Sequence, residues 1–213
     1  MTTPDSYERT DISEAIRSLK SDLLGPDGPR ISTTRKYNFA ILPYHPSDEI
    51  KLRRSVARLT EELRAEGWSV LSLALHRMLL DRLRRLEPEL LESVIAREMR
   101  LHAKDAPRAL TYLTEFLSRH IEGPEGLAAD VGKAITDFKA QLPRPDAPAV
   151  TFVGRAGALY PFFRTSALLR HIDGLTGDVP VVLLYPGERR GHSALSFMGE
   201  LSPDRDYRPR IYP

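Results

Sequence analysis

No cysteine occurs anywhere in the 213 residues. That absence removes disulfides, thiolate catalysis and cysteine-ligated metal together. No apolar run approaches the roughly 20 residues that cross a bilayer, and Met1-Thr2-Thr3-Pro4-Asp5 lacks the basic and apolar stretches of a signal peptide. A cytoplasmic protein is expected. An excess of one charge is missing too: 31 Lys and Arg face 29 Asp and Glu, so a pI near 8.9 reflects a small surplus rather than a basic chain. Nucleic acid is neither demanded nor excluded as a partner.

Catalytic spacings are absent as well. No glycine run makes a G-x-G-x-x-G, and none leads into Lys-Ser or Lys-Thr, which disfavours Walker-type nucleotide hydrolysis. The six histidines, His45, His76, His102, His120, His171 and His192, are scattered, with no H-E-x-x-H or H-x-H pair for zinc. No G-x-S-x-G turn places a nucleophile beside one of them. The chain reads as a non-enzyme without metal or cofactor.

What is present is a pattern of α/β type. With 41% hydrophobic and 28% charged residues, the chain can bury one sizeable core. Ile12, Ile16, Leu19 and Leu23 recur at helical spacing until Gly25-Pro26-Asp27-Gly28-Pro29, which reads as a docking helix in an N-terminal segment of residues 1–36. A single α/β domain over residues 37–213 follows. Strands are predicted near 38–43, 68–73, 150–153 and 179–185, with Ala194-Leu195-Ser196-Phe197-Met198 as an antiparallel edge and the tail Tyr207-Arg208-Pro209-Arg210-Ile211-Tyr212 as a short extended piece. The helix between the first two carries Leu52, Val56, Leu59 and Leu63 on one face, and Ser47 precedes it as N-cap with Asp48 and Glu49 suiting its positive end. That unit predicts a right-handed crossover with parallel pairing. The fold class is therefore α/β, a mainly parallel twisted sheet of about four to five strands with flanking helices.

Between about 75 and 143 the period stays helical, and Pro88, Pro107 and Pro124 fall where new helices should begin. About four helices are predicted in this insertion. A basic cluster, Arg77 with Arg82, Arg84 and Arg85, reads as a solvated helix face paired with Glu87 and Glu89 rather than as a phosphate site. In the second strand–helix–strand unit, a helix is expected to start near Tyr160-Pro161 and to carry Phe162, Ser166, Leu169 and Ile172 on one face, with Asp173-Gly174 as its stop. Pro180 lacks a ladder donor and should sit at a strand start.

The loops after the strands should converge on one edge, where α/β proteins bind ligands. Tyr44 and His45 come from the first strand, Gly154, Arg155 and Gly157 from the third, and Glu188, Arg189, Arg190 and His192 from the fourth. Tyr160 and Arg164 lie at the expected helix start, and Tyr185 and Gly187 flank Pro186. Such residues would suit a phosphate, a carboxylate or an acidic partner surface, with free N–H groups at the Gly154-Arg155-Ala156-Gly157 turn. The plainer reading is that the glycines permit a tight turn and the arginine stems cover apolar surface.

The segments Phe39-Ala40-Ile41-Leu42-Pro43-Tyr44 followed by Asp48-Glu49, Phe152-Val153-Gly154-Arg155-Ala156-Gly157-Ala158-Leu159-Tyr160-Pro161-Phe162, Val179-Pro180-Val181-Val182-Leu183-Leu184-Tyr185-Pro186-Gly187, Phe197-Met198-Gly199 and Tyr207-Arg208-Pro209-Arg210-Ile211-Tyr212, in this order, resemble the BrxB proteins of BREX bacteriophage-exclusion systems. The resemblance runs from about Tyr37 to the C-terminus. It implies a small cytoplasmic component of a defence system whose other members include a methyltransferase, a large ATPase and a PglZ-type protein; with the missing catalytic spacings and the amphipathic helical insertion, a non-catalytic subunit that acts through protein–protein interaction is expected. The partner it implies first is the PglZ-type protein, then the ATPase or methyltransferase. It carries no catalytic residues over. A phosphate-, nucleotide- or nucleic-acid-sensing domain of the same system is the alternative.

Overall fold

The computed structural model describes residues 11–25, 29, 31, 38–172, 175–190, 194–199 and 209–213. Six strands, β1 (Phe39–Tyr44), β2 (Ser69–Ala74), β3 (Ala149–Gly154), β4 (Val181–Arg190), β5 (Ala194–Phe197) and β6 (Arg210–Ile211), alternate with helices α1 (Ile12–Leu23), α2 (Glu49–Ala65), α3 (Leu75–Leu83), α4 (Pro88–His102), α5 (Ala106–Ile121), α6 (Leu127–Ala140) and α7 (Thr165–Ile172). The sheet order is β2-β3-β4-β1-β6, with β5 antiparallel to the outer half of β4. All other pairings are parallel.

Every residue of β1 and β3 is buried, as expected for parallel strands covered on both faces. One face packs Ala40, Leu42, Phe152 and Leu184 under α1 and α2. The other packs Ile41, Val153 and Leu183 under α3, α6 and α7. β2 is the half-exposed edge. α1 places Ile12, Ile16, Leu19 and Leu23 in the core against α2, its first turn capped by Asp11, which accepts from the Ser13 N–H at 2.8 Å.

Strands β1 and β2 are parallel but not neighbours: the crossover through α2 skips β3 and β4, which lie between them. The helical period fixes that a crossover occurs, not how many strands it passes. α4 and α5 begin with Pro88 and Pro107 in their first turns, whereas Pro124 lies in the turn before α6. Two of the four arginines of the basic cluster are paired with carboxylates, but not with Glu87 or Glu89: Arg82 bridges to Asp130 at 2.8 Å and to the carbonyls of Glu125 and Gly126, and Arg84 pairs with Asp81 at 2.8 Å. After β3 the chain makes one 3-10 turn, Ala156–Leu159, and α7 starts only at Thr165. Tyr160 precedes a proline and is extended, so Phe162 lies ahead of the helix instead of on its face. Asp173 and Gly174 lie outside the described residues. β4 opens at Val181, directly after Pro180, whose carbonyl accepts from Thr151. Among the described residues no helix is long and apolar enough to cross a membrane.

Candidate functional site

A cavity of about 370 Å3 opens where the ends of β2 and β3 meet the first turns of α2 and α3. Its floor is apolar, from Leu52 and Val56 of α2, Phe152 of β3 and Leu184 of β4. Its rim is polar. The α2 helix starts five residues after Tyr44, which puts Glu49 over the strand ends, and the Tyr44 hydroxyl donates to Glu49 Oε2. Arg155 Nη1 donates to Glu49 Oε1 at 2.8 Å from the end of β3. Arg155 holds a left-handed backbone, φ 64°, as the residue that turns the chain from strand into the 3-10 turn.

Arg53, one turn after Glu49 on α2, and Arg77, in the first turn of α3, complete the rim. His76 lines the same cavity, and its Nδ1 is buried without a hydrogen-bond partner. Burial pushes the His76 pKa below the ordinary imidazole value, and the positive charges of Arg155, Arg77 and Arg53 add to the effect against Glu49. Arg53, Arg77 and Arg155 line the same cavity as His76. Burial, then the hydrogen bond and charge of Glu49, raise the Tyr44 pKa well above the ordinary phenol range, so its hydroxyl stays a donor. Among the described residues no cluster of His, Asp and Glu has the makings of a metal site.

The residues expected on the strand edge therefore divide. Tyr44, Gly154 and Arg155 line the cavity. His45 caps the turn Pro46–Asp48, with Nδ1 2.6 Å from Ser47 Oγ, and its Nε2 stands 3.6 Å from Glu188 Oε1. Tyr160 and Tyr185 belong to the opposite face, where both rings pack on Phe197 with centroids 6.5 and 5.6 Å away. Gly157 lies against Met198 and Pro186, and Gly187 lies against the Ser196 carbonyl and the Tyr185 ring; both serve the β4–β5 hairpin. Arg164 is exposed just ahead of α7. Arg189 and Arg190 form the end of β4, paired with Leu195 and Ala194, and His192 lies outside the described residues.

Glu49, Arg53, His76 and Arg77 join the site without having been singled out for it. Glu49 reads in the sequence as a helix-dipole carboxylate and Arg77 as part of a basic helix face. The one available signal was spacing: Glu49 and Arg53 share a helix face with Leu52 and Val56.

A family model for the BREX protein BrxB matches residues 71–211, more than half of the chain. The chain belongs to the BrxB family. No curated protein and no solved structure matches it. Membership in BrxB makes it a component of a BREX bacteriophage-defence system. The BrxB match takes in His76, Arg77, Gly154 and Arg155 but begins after Tyr44, Glu49 and Arg53. Half of the cavity rim thus lies in the part of the chain that the BrxB model describes and half in the part before it.

Proposed function

We propose that this BrxB chain is a non-catalytic subunit that acts by holding another BREX component through the helical hairpin α4–α5. One observation carries the reading: of the 15 residues of α4 only Val94 is buried, while Leu90, Ile95 and Met99 are 45%, 56% and 63% exposed. Ile95 and Met99 are four apart and share a stripe, and exposed apolar surface on one element marks an interaction face. α4 packs chiefly on α5, so the hairpin stands away from the sheet. The cavity supports the non-catalytic half of the reading, since Glu49, the one carboxylate among its described lining residues, is held by Tyr44 and Arg155.

Co-purification from the native operon tests it, with the PglZ-type protein as the first partner to look for and the large ATPase and methyltransferase next. The expected result is a stable complex that survives nuclease and phosphate, and that is lost in an Ile95→Asp, Met99→Asp variant whose melting temperature is unchanged because both sites are exposed. A complex retained in that variant would overturn the hairpin assignment.

A further inference from the structure

The charges around the cavity do not cancel. Arg53, Arg77 and Arg155 face it, against the single carboxylate of Glu49. Arg155 takes Glu49 at 2.8 Å. Among the described residues no carboxylate pairs with Arg53 or Arg77. Farther along α2, Arg64 pairs with Glu61 at 2.9 Å and Arg58 lies 3.9 Å from Glu62. A groove of about 590 Å3 adjoins the cavity at Arg53 and runs along α2 past Arg58 and Arg64, with Glu61 as the one carboxylate among its described lining residues. Arg53 and Arg77, which have no ion pair among the described residues, stand at one cavity with an apolar floor, which suits a compact anion that carries a carbon body.

Three further features point at the same spot. The His76 Nδ1 is buried and has no partner, which a ligand hydroxyl or water would supply. The first turn of α3 opens beside it, and its N-cap, Ala74, offers no side-chain acceptor for the helix N–H groups. The floor of Leu52, Val56, Phe152 and Leu184 is apolar, so a bound molecule with a ring-shaped body would cover carbon surface while its anionic end met the guanidinium groups. A phosphomonoester carries about −1.5 to −2 charges at neutral pH, matching the two cations left over once Arg155 is paired.

We propose that this cavity binds a small phosphomonoester of about mononucleotide size, with Arg53 and Arg77 on the phosphate, the first turn of α3 behind it and the body of the ligand on the Val56–Leu184 floor. A volume of about 370 Å3 accommodates such a molecule and little more. The site is separate from the α4–α5 hairpin and does not depend on what that hairpin holds.

Calorimetric titration of the full chain with adenosine 5′-monophosphate, with inorganic phosphate and with adenosine tests the proposal, each repeated as a thermal shift. Binding is expected for the monophosphate, more weakly for inorganic phosphate, and not for adenosine. Losing the charge-assisted bonds of both guanidiniums should weaken monophosphate binding at least about tenfold in an Arg53→Ala, Arg77→Ala variant. Arg53→Ala alone should weaken it several-fold, and Arg100→Ala, on the exposed face of α4, should leave it unchanged. The proposal is overturned if neither phosphate compound binds, if adenosine binds as well as its monophosphate, or if the double variant binds like the wild type. An oligonucleotide without a terminal phosphate that competes with the monophosphate would overturn it in favour of a nucleic-acid groove.

Discussion

Arg155 and Glu49, 106 positions apart in sequence, meet at 2.8 Å across the mouth of the cavity and tie the end of β3 to the start of α2. Arg155 does this from a left-handed backbone that glycine adopts more cheaply than any side-chain-bearing residue. The residue is neither a free recognition arginine nor a fully buried charge, since its side chain is 36% exposed and that of Glu49 24%.

Two variants separate the ion pair from the backbone. Arg155→Ala loses the pair and keeps the left-handed strain; Arg155→Gly loses the pair and releases the strain. Arg155→Gly is expected to be more stable than Arg155→Ala by about 1 kcal/mol, read as the difference in urea midpoints at equal slope. Equal midpoints would show that the turn costs nothing and that the ion pair alone is felt.

Alkaline pH acts on two phenols. Tyr44 donates to Glu49, and Tyr212 donates to Asp22 at 2.9 Å; burial first, then these carboxylates, raise both pKa values above the ordinary phenol value of 10.0. The folded state then keeps its phenolic protons while the unfolded chain releases them, so this stability is full below pH 10.0 and falls as pH rises beyond it. Tyr212→Phe should be less stable than wild type near neutrality by about 1 kcal/mol, the value of the hydrogen bond. The gap should narrow as unfolding is followed to higher pH. A constant gap would refute the link.

The strands were legible because their apolar runs are short, β-branched and bounded by Pro and Gly, and α1 because Ile12, Ile16, Leu19 and Leu23 leave one face no alternative but burial. The strand order was not, since periodicity says nothing about which strands become neighbours, and β1 lies beside β4. Of the site, Tyr44 and Arg155 could be read from their positions at strand ends. Glu49, Arg53, His76 and Arg77 could not, because what joins them is the seating of α2 and α3 on the sheet. The separation of Tyr185 from Tyr44 follows from alternation: Leu184 faces α2 with Tyr44, so Tyr185 must face the other layer.

Acid acts on two histidines. His76 is depressed by burial, Arg155, Arg77 and Arg53, with Glu49 opposing, and His120, whose ring lies 5.0 Å from that of Phe116, by burial, Arg82 and Arg119. A depressed imidazole stays neutral in the folded state while the unfolded chain takes up a proton, so stability is full above pH 6.5 and falls as pH drops through and below it. Melting temperatures of wild type and His120→Gln, measured at steps from about pH 7.5 down to about pH 5, should converge as pH falls. Parallel curves would show that His120 titrates alike in both states.

The β4–β5 hairpin rests on one missing methyl group. Gly187 faces the Ser196 carbonyl and the Tyr185 ring so closely that a Cβ would collide with both, and one of the two is backbone, which cannot rotate away. Across the same hairpin the Met198 N–H donates to the Pro186 carbonyl at 2.8 Å, and Phe197 packs on Tyr185 and Phe163. Gly187→Ala must therefore either push β5 off β4 or tilt Tyr185 out of its edge-on contact with Phe197, and overpacking of this kind costs about 1–3 kcal/mol. Gly67→Ala makes the contrast: its left-handed φ of 81° carries a strain penalty, but a Cβ there meets nothing within 4 Å. If steric closeness decides, Gly187→Ala lowers the melting temperature more than Gly67→Ala and alters the near-UV circular dichroism of the tyrosine cluster, whereas Gly67→Ala leaves that spectrum alone. A larger loss in Gly67→Ala, with an unchanged tyrosine signal in Gly187→Ala, would mean that the hairpin moves aside freely and that the glycine is there for its backbone rather than for the space.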